Sequence, residues 1–116
     1  MATTYKVLGQ ASATTNVRTA LYTVPALKSA VSSTLVVNDV GGLGGTFAIS
    51  IAVNNAGDAH KQYVYGSPTG GIGMDANDTF IATIGITLAA GDVVYVRNIS
   101  AGSTELSFQL FGSEIS

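Results

Sequence analysis

The sequence predicts an all-β protein: a single-domain antiparallel β-sandwich, jelly-roll-like, with about eight short strands. Three observations predict it. Apolar and polar residues alternate with period two in segment after segment, as in strands with one buried face. Between these segments stand glycine, proline, aspartate and asparagine, which form tight turns. The 116 residues suffice for one domain with one core, but not for two.

Residues 1–18 read as an N-terminal arm or first edge strand, and 19–116 as the β-sandwich domain. Met1 to Thr19 is rich in Ala, Ser and Thr, and within it only Tyr5 to Leu8 has strand character. Thr19 to Val24 is the next strand. It ends at Val24-Pro25-Ala26-Leu27-Lys28, where proline fixes φ and has no N–H for a ladder. Ala30 to Asn38 follows, with Val31, Ser33, Leu35 and Val37 on one face. Gly41-Gly42-Leu43-Gly44-Gly45 reads as a flexible hairpin connection.

The clearest strand is Thr46 to Val53. Phe47, Ile49, Ile51 and Val53 share one side, and Thr46, Ala48, Ser50 and Ala52 the other. A helix would scatter the four large residues around its circumference. Lys61 to Tyr65 is a further short strand. Gly66 to Asn77, holding Pro68, Gly70, Gly71 and Gly73, is the longest irregular stretch. Thr79 to Ile86 aligns Phe80, Ala82, Ile84 and Ile86. Ala89-Ala90-Gly91-Asp92 supplies a glycine suited to positive φ and an Asp able to accept from nearby amides. Asp92 to Ile99 sets Val93, Tyr95, Arg97 and Ile99 against Val94, Val96 and Asn98. Ser103 to Phe111 turns Leu106, Phe108 and Leu110 inward.

Charge narrows the function classes. Charged residues make up 10% of the chain, against about 25% in ordinary soluble domains. Since charges keep strand edges and outer faces apart in solution, a surface so poor in them is expected to be covered by neighbours. Lys6, Arg18, Lys28, Lys61 and Arg97 are scattered singly and the net charge is −2, so no nucleic-acid partner is expected. The chain contains no cysteine, hence neither disulfides nor thiolate metal sites. Met1 to Gln10 lacks a basic stretch followed by an apolar run, so no secretory signal is expected. No apolar segment approaches the ~20 residues needed to span a membrane.

Few residues suggest chemistry. His60 is the only histidine; with Asp58 it is the sole candidate for a hydrolase base, but no nucleophile-elbow sequence accompanies it. A solvated histidine at the start of a strand explains it as well. Asp75, Asn77 and Asp78 gather oxygen ligands suited to calcium, though not in the twelve-residue calcium loop, and are also ordinary turn formers. Tyr63 and Tyr65, two apart on a strand, are expected on one side, as a glycan-binding face or as core or subunit contact. No catalytic residue, metal or cofactor is assigned.

Several strands carry apolar residues opposite the main core set: Val36, Val64, Ile81, Val94, Val96 and Phe111. A monomeric sandwich would place Lys, Glu or Arg at many such positions. Burying one such side chain contributes about 1.5–3 kcal/mol, so a handful shared between copies would hold an oligomer. A homotrimer is the expected form, by analogy with other jelly-roll units.

A resemblance extends this reading. Leu21-Tyr22-Thr23-Val24-Pro25-Ala26, then Val31 to Asn38, Asp78 to Leu88, Gly91 to Val96 and Leu106 to Ile115 together resemble small virion structural proteins of tailed bacteriophages. The likeness covers most of the chain from Leu21 onward. It implies a non-enzymatic particle component, made in the host cytoplasm and built into the virion. The implied role is a capsid cement or decoration protein bound to the major capsid protein. Neck, baseplate or fibre-associated subunits are the alternative, and a glycan-binding receptor module is the competing class.

Overall fold

The computed structural model describes residues 2–13, 17–99 and 105–116. Among the described residues the fold has ten strands: β1 (Thr3–Ala13), β2 (Thr19–Thr23), β3 (Ser29–Asp39), β4 (Gly45–Ala52), β5 (Tyr63–Tyr65), β6 (Ile72–Met74), β7 (Thr79–Thr83), β8 (Thr87–Leu88), β9 (Val93–Asn98) and β10 (Leu106–Ile115). Pairing runs from the ends of the chain toward its middle. β1 pairs with β10, β2 with β9, β3 with β7 and β8, and β4 with β5 and β6, all antiparallel.

The chain is therefore one long antiparallel ribbon, rolled so that β10 also meets β3 and β9 also meets β4. Rolling leaves two five-stranded sheets. One has the order β1-β10-β3-β7 with β8 beside β7 on β3; the other has β2-β9-β4-β5 with β6 beside β5 on β4. This is jelly-roll connectivity, and the antiparallel β-sandwich expected from the sequence is what forms.

The core lies between the sheets. Phe47 from β4 meets Phe80 edge-on at 5.1 Å and Phe108 at 6.1 Å, while Tyr65 meets Phe80 at 5.6 Å. Edge-to-face packing sets the positive rim of one ring against the negative face of another. Leu35, Val37, Ile49, Val94, Val96, Leu106 and Leu110 fill the space around them.

The period-two reading fails at one point in β3. Its register with β10 shifts between Phe111 and Gly112, whose partners are Thr34 and Ser32. Ser33 is thus extra, and a β-bulge there exchanges the two faces of the strand. Beyond it Ala30 and Ser32 are buried, while Ser33 is exposed and Val31 half-buried, contrary to the face assigned from sequence. Near the bulge the strand expected over Thr79 to Ile86 stops at Thr83 as β7, and pairing with β3 resumes only at Thr87 as β8. The Ser32 hydroxyl donates to the Ile84 carbonyl at 2.9 Å and accepts the Ile86 N–H at 3.2 Å, bridging the gap. A further strand, β6, arises inside the stretch expected to be irregular.

Two other expectations are corrected. Gly41 to Gly45 is not a hairpin connection, because β3 and β4 lie in different sheets; it is a corner of the roll. Val53 does not continue the inward row of β4, because the strand stops at Ala52 and Val53 opens a 3-10 turn on the surface.

Buried carboxylates tie the corners. Asp39 accepts the N–H groups of Gly42 at 3.0 Å, Gly44 at 2.7 Å and Asn77 at 3.0 Å. Burial pushes its carboxyl up, but these amides and that of Leu43 outweigh it and hold the group below the usual carboxylate range. Asp92 joins two other loops, accepting from Ala89 and Asn54 at 2.9 Å each, and Gly91 beside it takes φ +88°. Glu114 accepts from the buried Tyr22 hydroxyl at 2.7 Å, with the ammonium groups of Lys6 and Lys28 at 3.4 and 3.5 Å.

These ties make stability depend on pH at both extremes. The hydrogen bond from Tyr22 chiefly holds Glu114 below its ordinary value of 4.5, and Asp39 lies below 3.8. A depressed carboxyl stabilises fully above its unfolded value and loses that contribution as pH falls through the folded one. Burial, and then Glu114, push the Tyr22 phenol far above its ordinary 10.0. Its contribution is full below pH 10 and declines as pH rises beyond. Thermal midpoints should be flat near neutrality and fall on both sides. Tyr22→Phe should shrink the alkaline limb and leave the acid limb that Asp39 supplies; an unchanged alkaline limb would remove Tyr22 from this account.

Candidate interaction surface

The two outer faces of the sandwich are treated differently. Over the β2-β9-β4-β5 sheet, the segment from Val53 to Gln62 folds back as a cover. Arg97 donates to Asp58 Oδ2 at 2.9 Å, and the Tyr63 hydroxyl donates to Asp58 Oδ1 at 2.8 Å. Arg18 lies 3.7 Å from the centre of the Tyr95 ring and donates to the Ala56 carbonyl at 3.1 Å and to Gln62 at 3.3 Å. Tyr95 in turn donates to Asn55, and Gln62 to the Gly57 carbonyl at 2.7 Å. The cation-π contact and the ion pair bind the cover to the strands beneath.

The outer face of the β1-β10-β3-β7 sheet has no such cover among the described residues. Strand register sets three rows across it: Gln10, Gln109, Val36 and Ile81; Ser12, Ser107, Asn38 and Thr79; and Val7, Phe111, Thr34 and Thr83. None of these side chains is charged. Ile81 is 66% exposed and Val7 43%; Val36 and Phe111 are half-buried. Hydroxyl, amide and aliphatic groups alternate over a sheet surface where solvated proteins place lysine and glutamate. At the rim Glu105 accepts from Ser12 at 3.3 Å.

The structure divides the residues picked from sequence. Val36, Ile81 and Phe111 share this bare face. Val64 is exposed but sits on β5, in the other sheet. Val94 and Val96 are corrected: they point into the core and are 2% and 0% exposed. Both faces of β9 are apolar enough to be buried. What decides is the polar tips of Tyr95 and Arg97, which find partners in the 53–62 cover and would find none between the sheets.

Tyr63 and Tyr65 are corrected as well. Tyr65 pairs with Ile49 and Tyr63 with Ser50, a register shift that puts an extra residue between them. Tyr65 therefore turns inward onto Phe80, and Tyr63 outward to Asp58. They form no common platform.

Asp75, Asn77 and Asp78 build the turn between β6 and β7. Asp78 N–H donates to the Asp75 carbonyl at 3.2 Å, Asn77 takes φ +62°, and the Asp78 carboxylate accepts its neighbour Thr79 N–H at 2.8 Å. No group of three His, Cys, Asp or Glu able to hold a metal occurs among the described residues. His60 begins a surface 3-10 turn, and Asp58, its only nearby acid in sequence, is engaged by Arg97 and Tyr63. No helix among the described residues is long and apolar enough to cross a membrane.

Sequence reasoning missed Asp39 and Glu114. An aspartate entering a glycine-rich corner, Asp39-Val40-Gly41-Gly42, is a recognisable acceptor for turn amides. Glu114 carries no local signal, since its partners come from β1, β2 and the β2–β3 turn.

No protein-family model matches the chain, and no curated protein matches it. Among solved structures it is similar to a chain in the structure of infectious bursal disease virus, Gx strain, with 14% sequence identity and a TM-score of 0.54. The match covers 97% of this chain and 32% of that one. What they share is the fold. This chain spans about a third of the viral chain's length, and at such identity the likeness concerns architecture alone.

Proposed function

We propose that the chain is a non-enzymatic virion structural subunit, and that on a tailed bacteriophage it acts as a capsid cement or decoration protein. The observation that carries this reading is the charge-free outer face of the β1-β10-β3-β7 sheet, bare while the opposite face has its own cover. The jelly-roll likeness to a viral chain supports it, as does the resemblance of the strand and turn motifs to small phage virion proteins.

A cement subunit works by mass action. It binds the assembled shell and not the dissociated one, and so shifts the equilibrium toward the shell. At a free concentration one hundredfold above Kd each site gains about 2.7 kcal/mol, and repetition over a lattice multiplies the effect. The partners are the major capsid protein and other copies of this chain. Particles lacking it should release their genome at a temperature several degrees lower, and added protein should restore the difference. Equal release with and without it would turn the assignment toward a neck, baseplate or fibre-associated subunit, which a density map of the native particle would locate.

A further inference from the structure

We propose that two copies of this chain join through the free edge of β7, paired antiparallel about a two-fold axis at Ile81. The inference concerns self-association and does not depend on the virion reading.

An unpaired edge strand presents a row of N–H and C=O groups to any other strand, and proteins blunt such edges with charge, proline, bulges or brevity. The other edges here are blunted. β1 carries Lys6 and a register shift between Val7 and Gly9. β2 has five residues with a shift between Ala20 and Tyr22. β5 and β6 have three residues each. β7 is as short as β2, but its pairing with β3 runs without a register shift, and from Thr79 to Ala90 the sequence contains neither charge nor proline. No described strand pairs with its outer edge.

The hydrogen-bond phase shows which groups face outward. Asp39 N–H donates to the Asp78 carbonyl at 3.1 Å, and Ile84 N–H donates to the Ser33 carbonyl at 3.0 Å. In an antiparallel ladder bonded and non-bonded pairs alternate, so Phe80 and Ala82 also turn their backbone groups toward β3. Thr79, Ile81 and Thr83 turn theirs to the open edge. Among the described residues, only the Thr79 N–H of these three has an acceptor, the Asp78 carboxylate.

A two-fold axis at Ile81 uses this pattern completely. Ile81 faces Ile81 of the second copy, and Thr79 faces Thr83 in both directions, as hydrogen-bonded pairs. That gives about six backbone hydrogen bonds, two of them from Thr79 N–H groups shared with Asp78. The remaining pairs set Phe80 opposite Ala82, large against small, at the closer non-bonded spacing. Threonine opposite threonine and isoleucine opposite isoleucine are favourable β pairs. No like charges meet, and the bare outer faces of the two copies become one continuous surface.

Analytical ultracentrifugation of the full chain should give twice the 11.8 kDa monomer mass in the micromolar to millimolar range. Ile81→Lys, at an exposed position, should keep the circular dichroism spectrum and weaken association at least about tenfold, since a charge blunts an edge. Because the chain has no cysteine, Ile81→Cys tests the register directly. It should form a disulfide-linked dimer on mild oxidation faster than Val36→Cys, one strand further in on the same face. A monomer throughout, a three-fold mass, unweakened association of Ile81→Lys, or equal cross-linking through Val36→Cys would each overturn the two-fold edge.

Discussion

Phe47→Ala should cost about 3–5 kcal/mol, a large share of the 5–15 kcal/mol that holds a typical domain together. Phe47 is fully buried and touches both Phe80 and Phe108, so its ring joins β4 to β7 and β10 across the sandwich. Truncation removes the transfer energy of the ring and both edge-to-face contacts, and leaves a void that strands fixed by ladders on both sides cannot close. The thermal midpoint should fall by roughly 10–25 °C, or the variant should not accumulate folded. Phe47→Leu, which keeps much of the volume, should cost less than half as much. Urea unfolding measures both, and a loss below about 1 kcal/mol for Phe47→Ala would show that the core repacks freely.

Gly112→Ala and Gly9→Ala should be among the most damaging single-methyl changes. A Cβ at Gly112 would lie 2.3 Å from the Val31 carbonyl oxygen and 2.9 Å from Ser32 Cα; at Gly9 it would lie 2.0 Å from the Leu21 carbonyl oxygen. These neighbours are backbone, so relief requires moving a strand rather than turning a side chain. Gly112 sits at the β10–β3 bulge, and Gly9 where β1 passes close to β2 of the opposite sheet. Each substitution should cost about 3 kcal/mol, at the upper end for overpacking, or abolish folding. Gly85→Ala and Gly57→Ala meet nothing within 4 Å and should fall within about 0.5 kcal/mol of the parent. Equal tolerance at all four sites would mean that the close approaches relax at little cost.

The asymmetry of the two outer faces links fold to function. One face uses arginine, aspartate and tyrosine to fasten a loop of its own chain. The other offers hydroxyls, amides and aliphatic groups with no cover among the described residues, and borders an edge strand that carries neither charge nor proline. Such a surface favours association.

Alternation of apolar and small polar residues identified β2, β3, β4, β9 and β10 and the inward row of Phe47, Ile49, Leu106, Phe108 and Leu110, because period two is a property of the strand itself. The turn at Gly91-Asp92 was equally legible, being local chemistry. The bare face was legible in part: Val36, Ile81 and Phe111 stand out as apolar residues opposite the core set. What the sequence alone determined is thus the strands, most of their faces and the scarcity of charge. Tertiary structure alone decided the bulge at Ser33, the inward turn of Val94 and Val96, the separation of Tyr63 from Tyr65, and which sheet keeps its surface bare. Each of these depends on what lies on the neighbouring strand or loop, and where both sides of a strand are apolar no local pattern selects between them.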